Sequence, residues 1–240
     1  MAINQNILTA RLAERRLFLL AAIVFPALVL IGYFKTYYGA PFMEVPALPT
    51  LTHFHALVMT TWVIYFVVQV MLVKTKNIKL HMTMGFAGIG LAALVIVVGM
   101  TTAYYSHLIG HRAPPGLDPY EFFVVPVGDM FRFILLFAGA IYYRKRPALH
   151  KGLMLLTVIN FLPAAMSRIS IVPPEYTMLW GFGVSYGLGA AAVAWLSIKH
   201  RKIQWLLAGA LAMLIAMLPL EMAVAPTAAW HSFAHWLAGA

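Results

Sequence analysis

Seven stretches of this chain are long and apolar enough to cross a bilayer, and no other property limits its fold so tightly. A helix rises about 1.5 Å per residue, so a hydrocarbon core about 30 Å thick takes about 20 mostly apolar residues. The stretches run approximately Leu17–Tyr38, Leu51–Val73, Met82–Ser106, Tyr120–Tyr143, Leu153–Ile171, Thr177–Ile198 and Ile203–Ala225. Proline marks the gaps: Pro41, Pro46 and Pro49 in the first connection, Pro114, Pro115 and Pro119 in the third, Pro173 and Pro174 in the fifth. With 62% hydrophobic and 10% charged residues and a mean hydropathy of +0.85, the chain has too few polar side chains to coat a water-soluble globule. The same shortage excludes a disordered chain. The expected fold class is all-α, an integral membrane bundle of seven transmembrane helices. Its expected organisation is a basic N-terminal segment over 1–16, a single seven-helix domain over 17–225 and an amphipathic tail over 226–240. The first apolar run exceeds the roughly 7–15 residues of a signal-peptide core and lacks a clear small-residue cleavage site, so it reads as a retained helix.

The net charge of +10 comes from 17 Lys and Arg against 7 Asp and Glu, and in a soluble protein it would suggest nucleic acid. Here the basic residues sort by side. Arg11, Arg15 and Arg16 precede the first span, Lys74, Lys76 and Lys79 fill the second connection, Arg144, Lys145, Arg146 and Lys151 the fourth, and Lys199, Arg201 and Lys202 the sixth. Only Lys35, Arg112, Arg132 and Arg168 lie elsewhere. The positive-inside rule then places the N-terminus in the cytoplasm and the C-terminus outside, with the lipid bilayer as the partner of the basic residues and no role for nucleic acid. The absence of cysteine excludes disulfides, thiolate metal ligands and a cysteine nucleophile.

Ionisable residues inside a span are costly and by default mark a functional site. On this topology His53, His55, His107, His111, Glu121, Asp129, Arg132, Arg168, Glu175 and Glu221 fall in or near the outer half, and of the seven acids only Glu14 does not. His53 and His55 point about 200° apart on a helix that turns about 100° per residue. His55 shares a stripe with Met59, Trp62, Phe66 and Gln69, so His55 is the inward member. Asp129 and Arg132, spaced i,i+3, are close enough to pair within one helix, and Asn160 on the next long span falls at similar depth. Each also has a structural reading: a self-neutralising pair, an Arg168 that snorkels to headgroups, and interfacial hydrogen bonding for His81 and His150 beside Lys79 and Lys151.

Two cofactor chemistries fit these residues. A metal site for zinc, iron or copper would draw on His55, Asp129, Glu121 and either His111 or His107, with Asp129 as ligand or base. A b-type haem would need facing histidines, either His55 with His107 or His111 at the outer face or His81 with His150 at the inner. Arg132 and Arg168 would then position propionates or another anionic group. Either cofactor would serve a redox or hydrolytic membrane reaction. The rival is a non-enzymatic membrane module: a small carrier, or an accessory subunit that binds a membrane-complex partner or a second copy of itself. A weak internal repeat accompanies these sites, since Leu80-His81 and Leu149-His150 each open a helix after a basic turn.

His55, Trp62, Gln69 and Leu72, then Leu80-His81 with Gly85, then Arg146-Pro147-Ala148-Leu149-His150-Lys151-Gly152-Leu153-Met154 and Arg168, form a string with a family likeness. It resembles a widespread family of predicted bacterial multi-pass membrane proteins across roughly residues 50–170, with Met82 where that pattern carries Arg. The resemblance implies a bacterial cytoplasmic membrane and weight on His55, Gln69, His81, His150 and Arg168, without assigning a chemistry. A more distant similarity is to seven-helix zinc hydrolases of the ceramidase and adiponectin-receptor type. Their closing His-x-x-x-His would correspond to His231 and His235, which here lie beyond the last span.

The cysteine-free background makes the orientation directly measurable. A membrane-impermeant maleimide is expected to label Leu117→Cys in intact cells and Lys145→Cys only after the membrane is opened. The reverse pattern would overturn the assignment.

Overall fold

The computed structural model describes residues 2–43, 46–169 and 171–239, with side chains from Leu12 onward apart from Ala13. Glu44, counted above among the outer acids, and the side chain of Arg11 lie outside the described residues. The long helices are α1 (Ala2–Tyr33), α2 (Thr50–Lys74), α3 (Ile78–Ala103), α4 (Val124–Tyr142), α5 (Pro147–Arg168), α6 (Thr177–Lys199) and α7 (Trp205–Val224), followed by the shorter α8 (Ala228–Ala238). No strand occurs among the described residues. Seven helical segments are long and apolar enough to cross a membrane, and they coincide with the seven expected spans to within a few residues at most ends.

Local chemistry sets the ends. Asn77 accepts a hydrogen bond from Leu80 N at 3.3 Å to start α3, and Thr227 accepts from Trp230 N at 3.3 Å to start α8. Pro147 stands at the first position of α5, where its missing N–H costs nothing. Three boundaries differ from expectation. α1 reaches back to Ala2, through the segment read as a polar N-terminus. α3 continues as a π-helical turn over Tyr104–Ile109, so His107 lies within the helix and not beyond it. Before α4, a single turn (Pro119–Phe122), capped by Asp118, breaks at Phe123 and restarts at Val124. Pro126 accounts for the restart, because it has no N–H to return to the carbonyl of Phe122.

α5 is the most enclosed span and packs on α1, α4, α6 and α7, while the α2–α3 hairpin lies against α1 and α4. Small residues allow the close crossings, as they do where lipid supplies no hydrophobic drive for association. A side chain on Gly32 would stand 2.5 Å from the carbonyl oxygen of Ala165, so α1 meets α5 backbone to backbone. The outward face is apolar, including Leu20, Ile23, Leu57, Phe86, Val97 and Leu179. That is the reverse of a soluble protein and suits a lipid surround. The α2 stripe falls as expected: Trp62 and Phe66 are buried, His55 and Gln69 half-buried, and His53 is exposed with its ring near the Tyr37 hydroxyl at 3.3 Å.

α8, read from sequence as an amphipathic tail, packs on the protein. Ala234 is fully buried against Ala103, Leu108 and Phe123, and Trp230 Nε1 donates to the carbonyl of Tyr120 at 2.9 Å. Trp236, 73% exposed, marks its outer face. At the basic end Glu14 is buried between Lys151 and His200, an ion pair from α1 to α5 and a hydrogen bond to the end of α6 that no local pattern announces.

Gly32→Ala is expected to destabilise the bundle in detergent by about 1–3 kcal/mol, because the α1–α5 backbones must separate. Gly90→Ala, where an added side chain meets nothing within 4 Å, is expected to leave the melting temperature unchanged or raised. Thermal denaturation followed by circular dichroism checks both.

Candidate functional site

α4 carries Gly128 and Asp129 one turn before Arg132, and the side chain of Arg132 is 0% exposed. Its guanidinium is shared among three helices. Nη2 donates to Asp129 Oδ1 at 2.5 Å, Nη1 pairs with Glu221 Oε1 of α7, and Nε donates to Asn160 Oδ1 of α5 at 3.2 Å. Asn160 closes the ring, since its Nδ2 donates to the main-chain carbonyl of Asp129 at 2.9 Å. Glu221 fits only because residue 128 is glycine: a side chain there would collide with the Glu221 carboxylate.

The centre sets one guanidinium against two carboxyl groups in a space that water scarcely enters. Glu221 is 4% exposed and its Oε2 is buried with no hydrogen-bond partner, while Asp129 keeps 22% exposure. The Tyr186 hydroxyl of α6, also buried without a partner, lies within electrostatic reach of Arg132, Asp129 and Glu221. Orphaned polar atoms of this kind cost more in a low-dielectric interior than at a surface.

The expected Asp129–Arg132 pair and the matching depth of Asn160 are therefore present. Glu221 was visible as an acid near the end of a span, but its partner sits 89 residues away in sequence. Tyr186 carried no signal that set it apart from the other tyrosines.

The expected metal set is not assembled. Asp129 is taken by Arg132, Glu121 faces His231 at 3.2 Å, and His107 Nδ1 lies 2.5 Å from the carbonyl of Arg112. His111 turns its ring to Tyr120, and His55 is half-buried with an unpartnered Nδ1. Asp129, Glu121, His107 and His111 are engaged by other groups, His55 is joined by none of them, and no group of three His, Asp or Glu able to hold a metal ion occurs among the described residues. Arg132 is fully buried and each of its three nitrogens already donates within the protein, so it does not stand open to a propionate. Arg168 instead bonds the carbonyl of Ala164 at 2.6 Å and lies over the Tyr33 ring at 4.4 Å.

A second group lies at the basic end. The His81 and His150 rings meet edge to face with centroids 6.3 Å apart, and His150 Nδ1 is 2.8 Å from the carbonyl of Ala140. The repeated Leu-His helix starts thus become neighbours in space.

No family model, curated protein or solved structure matches the chain.

Arg132→Met leaves Asp129 and Glu221 buried without their cation, and it is expected to cost about 3–5 kcal/mol of stability in detergent. The triple variant Asp129→Asn, Arg132→Met, Glu221→Gln is expected to recover most of that loss. Equal destabilisation of the two would show that packing, not charge, sets the cost.

Proposed function

We propose that this is a multi-pass protein of a bacterial cytoplasmic membrane, with its basic turns inside, whose Arg132 centre binds and releases one proton in a small carrier. The observation that carries this reading is the charge count: two carboxylates face one guanidinium, and Glu221 Oε2 is buried without a partner. The first carboxylate neutralises the arginine. The second adds a negative charge to a desolvated site, which costs several kcal/mol unless something balances it.

One proton balances it. Bound to the carboxylate pair as a unit, it brings the centre to neutrality and converts an orphaned acceptor into a hydroxyl donor. Asp129 is the exposed edge of the centre, and the proton enters and leaves there. Intramembrane carboxylates that pair with arginine and reach a partly open edge belong to proton pathways in pumps and carriers. A centre that only locked helices together, as in an accessory subunit, would gain from matching every polar atom, and two of its atoms are unmatched. The metal and haem readings draw less support, because Glu121, His107 and His111 are engaged by other groups and His55 is not brought together with them.

Infrared difference spectroscopy on the protein in lipid nanodiscs, stepped in pH, tests the proposal. One carboxylic-acid C=O stretch is expected to appear and vanish with pH, to shift in D2O, and to be lost in Glu221→Gln or Asp129→Asn. A folded protein with no such band at any pH would overturn it.

A further inference from the structure

The geometry points to a first-row transition-metal site at the basic end of the bundle, built from His81, His150 and Gln69 where the α2–α3 hairpin meets the start of α5. It is independent of the Arg132 centre, which lies toward the other end of α4.

Hydrogen bonding fixes the donor atoms. A carbonyl only accepts, so the 2.8 Å contact to Ala140 places the hydrogen of His150 on Nδ1 and leaves a lone pair on Nε2. A metal-ligating histidine is prepared in this way, with its other nitrogen donated to a carbonyl that sets tautomer and ring orientation. The His81 ring stands beside it at 6.3 Å between centroids and 78° between planes, and its Nδ1 is buried with no partner.

The orientation of Gln69 follows by the same reasoning. The Tyr65 hydroxyl spends its single hydrogen on the carbonyl of Met84, so at its 2.7 Å contact with Gln69 it must accept. The amide nitrogen therefore faces Tyr65, and Oε1 is the free end. That Oε1 is buried and unpartnered, and the main chain of Gln69 lies within hydrogen-bond reach of the His81 ring.

Two imidazole nitrogens and an amide oxygen are thus oriented by neighbours, and the Nδ1 of His81 and Oε1 of Gln69 are left without a protein partner. Imidazole nitrogen with oxygen is a donor set that suits zinc, copper, nickel and iron ions, and a bound cation would satisfy atoms that the protein does not. The basic turns at this end oppose a cation. Part of that opposition is removed, because Lys151, next to His150 in the chain, is paired with Glu14. A site with only two strong donors in this field selects at the tight-binding end of the divalent series, which places copper first and zinc behind it.

The test uses the full chain, purified by a tag without histidine, stripped with chelator, and titrated separately with copper and zinc before desalting. About one equivalent of copper is expected to be retained, with nitrogen hyperfine structure from two imidazoles in its electron paramagnetic resonance spectrum. His81→Gln and His150→Gln are each expected to weaken retention at least tenfold, and Gln69→Ala less. Elution volume and melting temperature show whether the variants are folded. Glu221→Gln is expected to retain copper unchanged, which separates this site from the proton-binding centre. Failure of the wild-type chain to retain either metal would overturn the proposal, and so would retention that survives the folded His81→Gln, His150→Gln double variant.

Discussion

Arg132 holds its charge where water does not reach, and the arrangement of the surrounding helices follows from what it takes to keep that charge there. Its fork of donors is met by an acid on its own helix, an acid from α7 and an amide from α5. None of the three can leave without exposing a buried charge, so the contacts tie α4, α5 and α7 at one depth. Gly128 belongs to the same device, because the carboxylate of Glu221 occupies the volume a side chain would take. With α7 drawn in by Glu221 and α6 supplying Tyr186, half the bundle is organised around one guanidinium.

The opposite end uses a milder version of the same chemistry. Glu14 brings α1, the start of α5 and the end of α6 together through Lys151 and His200, at the level where the basic turns gather. Between these two ionic levels the contacts are apolar and close, with α5 as the hub and small residues such as Gly32 opening the crossings. Polar anchors at two levels, joined by tight packing between, give such a bundle a defined helix order even where lipid would supply no drive of its own.

Reading along the chain located much of this. The α2 stripe placed His55, Trp62 and Gln69 on the inner face, and the i,i+3 spacing put Asp129 beside Arg132. Asn160 fell at the right depth because helices joined by a tight turn keep register with the bilayer. What was not legible involved a partner on another helix. Glu221, Glu14 and Tyr186 lie far in sequence from the groups they meet, and the expected ligands His55, Glu121, His107 and His111 were grouped by side of the membrane, although Glu121, His107 and His111 are engaged elsewhere and His55 is not joined to them. Depth is a one-dimensional coordinate that sequence supplies, whereas helix rotation and adjacency are not.

By itself, then, the sequence determined the all-helical class, the number of helices long and apolar enough to cross a membrane and the segregation of the basic residues to alternate turns. Those properties depend only on length, hydropathy and charge counted along the chain against a bilayer of known thickness. The tertiary structure decided which charges meet. It made one centre of Arg132, Asp129, Glu221 and Asn160, set His81 against His150, and turned the C-terminal tail back onto the bundle. The physical reason is that these pairings depend on how helices rotate and approach one another, and that is set by the shapes of side chains packed across every interface at once.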